Sequence, residues 1–479
     1  MYFDIAEKCF KEEGKDASKL AFAAIDKDLS WGELKILSDN ICNTLTNAKI
    51  PRGHPVLIYG DKEAFFLAAV LSCYRNNLPF VPVSPDLPKK RIEKIIAQTQ
   101  SEVLIVCGNY ADAPHLPLTI KNDFTLSDAN PSFKKTIPGL AYILFTSGSS
   151  GEPKGVLIAD ENLVAFTNWF AENFMVNQNT VFVNQASFQF DISLADFFGT
   201  LQTGGSAILN SAKIIGDNLF TERINNYKGT YWNSTPSFVS VILTDKNFNS
   251  LNMPFIKQFV LSGENLSVSI AKKLRLRFPD AKIINAYGPT ETTIFASFAE
   301  ITNEMLNESL LPIATVHSEN ISIENDELII GGKKTGFGYL DNIELTNQRF
   351  FTKHNKRFFR SGDSVTTKGN YVYFGGRKDG QIKFNGYRVE LNEIKNVLEN
   401  FDFITCAECL PIEIDGKIKR LVAFVEIKEN QNISSLKEKL KELLPSYMIP
   451  SEIISVKEFP HTTSFKVDKQ KLLDNYLTG

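Results

Sequence analysis

The sequence predicts an α/β protein, and three observations carry that expectation. Over roughly the first 300 residues, short apolar runs alternate with longer segments of helical period, the pattern of a largely parallel sheet covered by helices. After about Glu300 the pattern changes to closely spaced strand candidates broken by Gly-containing turns, which predicts a small antiparallel sheet or β-barrel-like subdomain. A polar break at Arg377-Lys378-Asp379-Gly380 then leaves about 100 residues, enough for one further small domain.

Taken in order, Pro55 to Tyr59, Phe80 to Val83, Val103 to Val106, Tyr142 to Phe145, Phe259 to Leu261 and Ile283 to Ile284 read as buried strands. Ala64–Tyr74 and Lys90–Gln98 read as helices between them. In the β-rich part, Ile321–Ile323, Glu327–Ile330, Phe358–Phe359 and Tyr371–Phe374 are strand candidates. Gly331-Gly332, Lys368-Gly369-Asn370 and Gly375-Gly376 punctuate them. In the last domain, Leu391, Ile394, Val397 and Leu398 share one helical face. Leu436, Leu440, Leu443 and Leu444 share another, which Pro445 ends.

Composition narrows the function classes. The chain has 479 residues, 43% hydrophobic and 22% charged, so a packed core is expected and disorder as the main state is excluded. Its 52 basic and 55 acidic residues nearly cancel, leaving no electrostatic footprint for nucleic acid or an anionic membrane. No apolar run is long enough for a transmembrane helix, and the polar start lacks the pattern of a signal peptide. Six cysteines, at 9, 42, 73, 107, 406 and 409, are sparse for the length. The expectation is a cytoplasmic protein with no nucleic-acid partner and no membrane insertion.

The segment Tyr142–Val156, YILFTSGSSGEPKGV, carries the most chemistry. An apolar strand runs into Thr146-Ser147-Gly148-Ser149-Ser150-Gly151, followed by Glu152-Pro153-Lys154-Gly155. Backbone N–H groups, hydroxyls and one cation are what a polyphosphate needs, and the glycines allow close approach. It is not a Walker A loop, because Pro153 precedes the lysine and Gly155 follows it. A bare surface loop is the competing reading; placement directly after a buried strand favours phosphate binding.

This loop resembles the phosphate loop of the adenylate-forming superfamily: acyl-CoA ligases, luciferases, nonribosomal peptide synthetase adenylation domains and D-alanine–carrier protein ligases. Further motifs fit in order and spacing from Leu29-Ser30-Trp31-Gly32-Glu33-Leu34 to Lys466. Asn285-Ala286-Tyr287-Gly288-Pro289-Thr290-Glu291-Thr292-Thr293 is similar to the second nucleotide motif. The resemblance implies that Tyr287 stacks on adenine, Thr290 donates to the α-phosphate and Glu291 holds Mg²⁺. Arg360-Ser361-Gly362-Asp363 resembles the ribose motif, with Asp363 accepting both hydroxyls. Phe374-Gly375-Gly376-Arg377-Lys378-Asp379-Gly380 resembles the hinge, with Arg377 on the nucleotide and Asp379 as pivot. Asn385-Gly386-Tyr387-Arg388-Val389-Glu390 is similar to the segment lining the thiol tunnel. Pro460 to Asp468 resembles the catalytic-lysine loop, with Lys466 as that lysine; Ser464-Phe465 stands where the family has Asn-Gly.

The resemblance implies a large N-terminal domain, 1–378, of doubly wound mixed sheets (core about 1–300, β-rich subdomain about 301–378). A small mobile α+β lid, 379–479, follows it. It also implies the reaction: a carboxylate attacks the α-phosphorus of ATP, then a thiol takes the acyl group. Phe190-Asp191-Ile192-Ser193 bears on which carboxylate. Amino-acid-activating members carry an aspartate here for the substrate ammonium, whereas a buried carboxylate is costly and useless for a plain fatty or aryl acid. An N-cap for the following helix is the competing reading of Asp191. Ile192, Asn233, Ser262, Ala286, Ile294 and Phe295 complete the expected substrate pocket. Two segments, Asp191 to Asp196 and Trp232 to Phe238, look most like D-alanine–carrier protein ligases, which implies a phosphopantetheine-bearing carrier protein as partner. Ser262 stands where those ligases have a cysteine. Ala195 replaces a larger residue, Asn233 replaces an apolar one, and Phe295 adds bulk. Another small or polar amino acid therefore stays open, as does an acyl-CoA ligase. The Cys406-Ala407-Glu408-Cys409 match to CxxC lacks a second ligand pair and reads as core.

Overall fold

The structure is a computed structural model that describes residues 5, 10, 16–127, 131–148, 152–211, 218–318, 320–378, 381–414, 417–428, 432–460 and 467–478. Ser149, Ser150, Gly151, Asp379 and Lys466 therefore lie outside the described residues. The chain forms two compact units. One comprises Met1–Pro85, Ile96–Phe145 and Gly155–Lys378; the other comprises Asp86–Ile95, Thr146–Lys154 and Asp379–Gly479.

Two sheets with parallel interiors build the large unit. The first has eight strands in the order Ser297–Glu300, Lys282–Tyr287, Gln258–Leu261, Tyr231–Ser234, Val181–Asn184, Ser206–Leu209, Leu20–Ala23 and Asp28–Ser30. Its six central strands pair in parallel and its two outermost strands antiparallel. The second has seven strands, from Gly338–Tyr339 through Lys154–Ala159, Leu140–Thr146, Phe80–Val83, Val56–Tyr59 and Val103–Val106 to Leu118–Ile120. Every residue of Val56–Tyr59, Phe80–Val83, Val103–Val106, Tyr231–Ser234 and Gln258–Leu261 is buried, because helices or the other layer cover both faces. That is why Val56–Tyr59, Phe80–Val83 and Val103–Val106 read as continuous apolar runs rather than alternating ones; Tyr231–Ser234, which ends in Asn and Ser, does not read as a strand in the sequence. The Ala64–Arg75 helix is buried from Ala64 to Tyr74, the case of a helix apolar all round. Trp31–Asn47 starts at a reciprocal capping box, Ser30 Oγ accepting from the Glu33 N–H while Glu33 accepts from the Ser30 N–H.

The β-rich part is a third, antiparallel sheet, running Ala314–Thr315, Tyr371–Arg377, Lys356–Lys368, Glu327–Gly331 and Ile321–Glu324, with Phe350–Lys353 pairing on Lys356–Lys368. Two of its hairpins turn on two residues that are both left-handed, Asn325-Asp326 (φ 50 and 59) and His354-Asn355 (φ 51 and 58). That geometry matches the twist of the flanking strands, and Asn and Asp tolerate it best after glycine.

In the second unit, Ile382–Phe384 pairs with Tyr387–Val389. The long hairpin Ile404–Ile414 and Lys417–Ile427 takes Glu452–Val456 as a parallel third strand. The helix expected to run to Leu444 ends at Lys441. Pro445 disfavours helical backbone at the residue before it, so the apolar face continues into a turn. Cys406 and Cys409 sit in the first hairpin strand, and all described cysteines are free thiols.

Phe170 joins the helices to the first sheet, with its ring 4.9 Å from Phe174, 5.5 Å from Phe166, 5.9 Å from Tyr231 and 6.3 Å from Phe182. It is fully buried. Phe170→Ala is expected to cost about 3–5 kcal/mol, read as a lower urea midpoint at unchanged slope.

Candidate active site

The candidate substrate-pocket residues on the first sheet, Asn233, Ser262 and Ala286, lie at or just past the carboxyl ends of neighbouring parallel strands, where open α/β sheets place their ligands. Asn233, Val260 and Ile284 are aligned across three strands, and Ser234, Leu261 and Asn285 form the next row. Ser262 follows immediately, its N–H donating to the Ser234 carbonyl at 3.2 Å. Ala286 and Tyr287 continue the adjacent strand.

Beyond that strand the chain turns sharply. A Cβ on Gly288 would lie 2.2 Å from the Ile294 carbonyl oxygen, so only glycine fits. Thr290–Thr292 is a single 3₁₀ turn, and Thr293 and Ile294 then adopt φ of 58 and 70. β-Branched residues rarely occupy that region, and each costs on the order of 1–3 kcal/mol. Surrounding contacts hold them there: the Thr293 hydroxyl donates to the Lys334 carbonyl, and Lys334 Nζ donates to the carbonyls of Phe295 and Ala296 at 2.8 and 3.3 Å. Phe295 is fully buried, with its ring 5.9–6.4 Å from Phe174, Phe166 and Phe170, so its bulk is spent on the aromatic core.

Asp363 and Arg377 face each other across two antiparallel strands, and their side chains pair at 2.7 Å with almost no exposure. The Tyr287 hydroxyl donates to the other carboxylate oxygen at 2.5 Å. Burial, then the carboxylate beside it, pushes the Tyr287 hydroxyl well above its ordinary pKa. Thus Tyr287, Asp363 and Arg377, far apart in sequence, form one charged cluster. Phe374, Gly375 and Gly376 lie on the Arg377 strand, with Gly376 at φ 120. Glu291 is fully buried, and its Oε1 accepts from the Tyr339 hydroxyl at 2.7 Å. Thr290, half-exposed, precedes it.

A Mg²⁺ ion is usually held through one or two carboxylates plus phosphate oxygens and water. Among the described residues no group of three or more His, Cys, Asp or Glu gathers, so a single carboxylate such as Glu291 fits that donor set and an all-protein cage does not.

Asp191 precedes the Ile192–Thr203 helix with helical backbone angles and makes no side-chain cap bond, so the capping reading does not describe it. Asn233 turns its amide inward, donating to the Ile192 carbonyl at 3.0 Å and to Asp196 at 3.1 Å. Asn184 donates to the other Asp196 oxygen at 2.9 Å. Asn233 is therefore a positioning contact for the start of the Asp191 helix.

In the second unit the glycine-rich loop meets carboxylates. The Gly148 N–H donates to Glu393 at 3.2 Å, Lys154 pairs with Glu390 at 3.5 Å, and the Ser147 hydroxyl donates to the Arg388 carbonyl at 2.7 Å. Arg91 pairs with Glu393 at 2.6 Å, both buried. A Cβ on Gly148 would stand 2.1 Å from the Glu152 carbonyl oxygen, so glycine is required here too. The Gly148 N–H and the Lys154 ammonium of this loop thus face carboxylates, while the Ser147 hydroxyl faces a backbone carbonyl.

Tyr339 and Lys334 were not legible in the sequence. Tyr339 reaches Glu291 from a two-residue strand, and the pair Lys333-Lys334 reads as a surface turn. In the fold Lys334 is 4% exposed and lies over the Trp169 ring, 3.2 Å from its centroid. Burial pulls its pKa well below the ordinary lysine range.

Burial also pushes Asp196 up to about 8, against the opposing effect of its bonds from Asn184 and Asn233 and of the Lys62 cation. Lys62 and Tyr231 are the other titratable groups coupled to it. An unfolded aspartate titrates near 3.8. The folded value is higher, so the folded state keeps a proton the unfolded chain releases. This contribution is fully present below about pH 4 and is lost as pH rises to about 8, with a slope of at most about 1.4 kcal/mol per pH unit. Asp196→Asn should flatten the fall in urea midpoint between pH 5 and 8; an unchanged slope would place the titrating group elsewhere.

Comparison with known proteins accords with this geometry. A profile of the family described as AMP-binding enzyme matches residues 10–327, and that of the AMP-binding enzyme C-terminal domain matches residues 393–466. A D-alanine–D-alanyl carrier protein ligase of Bacillus licheniformis is 32% identical, covering 95% of each chain. The protein of that name from Listeria welshimeri is 35% identical, covering 93% of each. Among solved structures, the Vibrio cholerae adenylation domain AlmE, in complex with glycyl-adenosine-5'-phosphate, superimposes with a TM-score of 0.85 at 19% identity, covering 99% of this chain and 97% of that one. Two domain profiles in the expected order and relatives matched over nearly their whole length lead to one conclusion: this chain belongs to the AMP-binding enzyme family.

Proposed function

We propose that the chain is an ATP-dependent, AMP-forming ligase that activates an amino acid and passes it to the phosphopantetheine thiol of a carrier protein, with D-alanine the leading substrate. The observation that carries this reading is Asp191. It is a half-buried carboxylate that makes no cap bond to its own helix, and the carbonyl of the next residue, Ile192, is held by Asn233 from a strand of the parallel sheet. A carboxylate in that place suits a substrate ammonium and penalises an acid that lacks one. The names of the full-length relatives support D-alanine and a carrier protein.

In this reading Asp363 accepts the ribose hydroxyls, with Arg377 holding the carboxylate in orientation. Tyr287 is placed beside the base, and Thr290 donates to the phosphate that is attacked. The N–H groups from Ser147 to Gly151, with Lys154, hold the departing pyrophosphate. Mg²⁺ bound through Glu291 would offset phosphate charge. Lys466 neutralises the carboxylate and phosphate oxygens as they approach. The C-terminal domain, 379–479, acts as a lid pivoting at Asp379, taking Lys466 away before the thiol attacks.

A second reading keeps the chemistry and changes the amino acid. Ser262 puts a hydroxyl just past its strand end, which accommodates a small polar side chain.

The test is amino-acid-dependent ATP–pyrophosphate exchange over D- and L-amino acids, β-amino acids and simple carboxylic acids. Exchange is expected with D-alanine, abolished in Lys466→Ala. Asp191→Asn should raise the amino-acid KM about a hundredfold with little change in the KM for ATP, the cost of losing one member of a desolvated charge pair. Exchange supported only by acids without an amino group would overturn the assignment of Asp191. In a separate assay, Asp363→Ala should raise the KM for ATP at least about tenfold and leave the amino-acid KM within about twofold.

A further inference from the structure

Asp61 and Lys62 follow the Val56–Tyr59 strand of the seven-stranded sheet, yet both side chains bond to chain just past two strands of the eight-stranded sheet. One carboxylate oxygen of Asp61 accepts from the Ser187 hydroxyl and from the Phe188 N–H, each at 2.8 Å. Lys62 is 3% exposed, and its ammonium donates to the carbonyls of Gln185 at 3.0 Å and Asn210 at 2.8 Å. Those carbonyls lie just past the ends of the strands Val181–Asn184 and Ser206–Leu209. The segment so gripped, 185–188, leads directly to Asp191. From there the bonds are continuous: the Phe190 N–H donates to the Ser187 carbonyl, Ser193 donates through N–H and hydroxyl to the Phe190 carbonyl, and the Leu194 N–H donates to the Asp191 carbonyl. Asn233 holds the Ile192 carbonyl from the far side.

From this arrangement we infer that Asp61 and Lys62 are positioning residues for amino-acid recognition. They fix from the opposite sheet the backbone that carries Asp191. The inference rests on the proposed ammonium-binding role of Asp191. Placing an ammonium in the interior is costly, so cohesion alone does not call for a lysine at this position. What the lysine supplies instead is direction, because two carbonyls at fixed distances locate the strand ends relative to the loop after Val56–Tyr59. A displacement on the order of 1 Å at a recognising group is enough to cost up to about a hundredfold. Neither residue belongs to a motif, and no spacing in the sequence pairs Lys62 with Gln185 or Asn210.

The experiment measures pyrophosphate exchange with D-alanine, or with the amino acid that leads the panel above, for the full chain and three variants, beside urea unfolding. Lys62→Met should raise the amino-acid KM about tenfold or more while the KM for ATP stays within about twofold; the urea midpoint falls modestly, because the carbonyls of Gln185 and Asn210 lose this donor. Asp61→Ala should raise the same KM. Asp61→Asn, which keeps an acceptor oxygen, should restore most of the affinity. An unchanged amino-acid KM in both Lys62→Met and Asp61→Ala would overturn the inference, as would parallel losses in both KM values and the urea midpoint, which mark general damage. Asp191→Asn separates the two levels. If it raises the amino-acid KM and the Asp61 and Lys62 variants do not, only the positioning role fails. If it leaves that KM unchanged, the reading of Asp191 fails and this inference fails with it.

Discussion

Parallel register is the constraint on which the large unit depends. In the eight-stranded sheet the six central strands run the same way, so residues at their carboxyl ends are brought to one edge. Asn184, Asn233 and Ala286 lie in the last residues of three such strands and Ser262 just past a fourth. A slip of one residue would turn Asn233 away from Asp196 and present its neighbour instead. Register is secured by burial of both faces, since every such slip would move large apolar side chains such as Trp232 and Phe259 out of their contacts with Phe248.

Around that frame the interior holds several titratable groups, each held by partners in its own way. Asp363 is satisfied by a cross-strand arginine and a tyrosine hydroxyl. Asp196 is held by two asparagine amides and coupled to Lys62. Lys334 is held by two backbone carbonyls and an aromatic face. An interior of this kind is costly in stability compared with an apolar one. Its return is geometric: a carboxylate fixed by two partners has one orientation, and a strained turn such as Thr293-Ile294 persists only because bonds on both sides hold it. The second unit repeats the principle where Glu393 is bonded at once by Arg91 and by the Gly148 N–H.

Much of this was legible in the sequence because the signals are local. Continuous apolar runs marked Phe80–Val83 and Val103–Val106 at their observed ends, since a strand covered on both faces needs no alternation. Turn chemistry marked the β-rich part, and the glycines at 148 and 288 marked close approaches that a Cβ would block. The motifs carried Asp191, Glu291, Asp363 and Arg377, because each chemistry needs one residue type at one place along the chain. Leu443 and Leu444 misled, since helical spacing continues past the point where Pro445 forbids helical backbone.

Tertiary structure alone decided who meets whom. That the Tyr287 hydroxyl belongs to Asp363, that Tyr339 reaches Glu291, and that Lys334 lies beneath the Trp169 ring depend on pairings between elements 48 to 165 residues apart, as do the grips of Asp61 and Lys62 on the strand ends opposite them. Such contacts leave no periodicity and no fixed spacing behind. The sequence by itself determined the residue types that the chemistry needs and the strands and turns that carry them, because those follow from local sterics and burial. Which of these groups share a hydrogen bond, and so which carboxylate points where, was decided only when the sheets closed on one another, because long-range packing sets those distances.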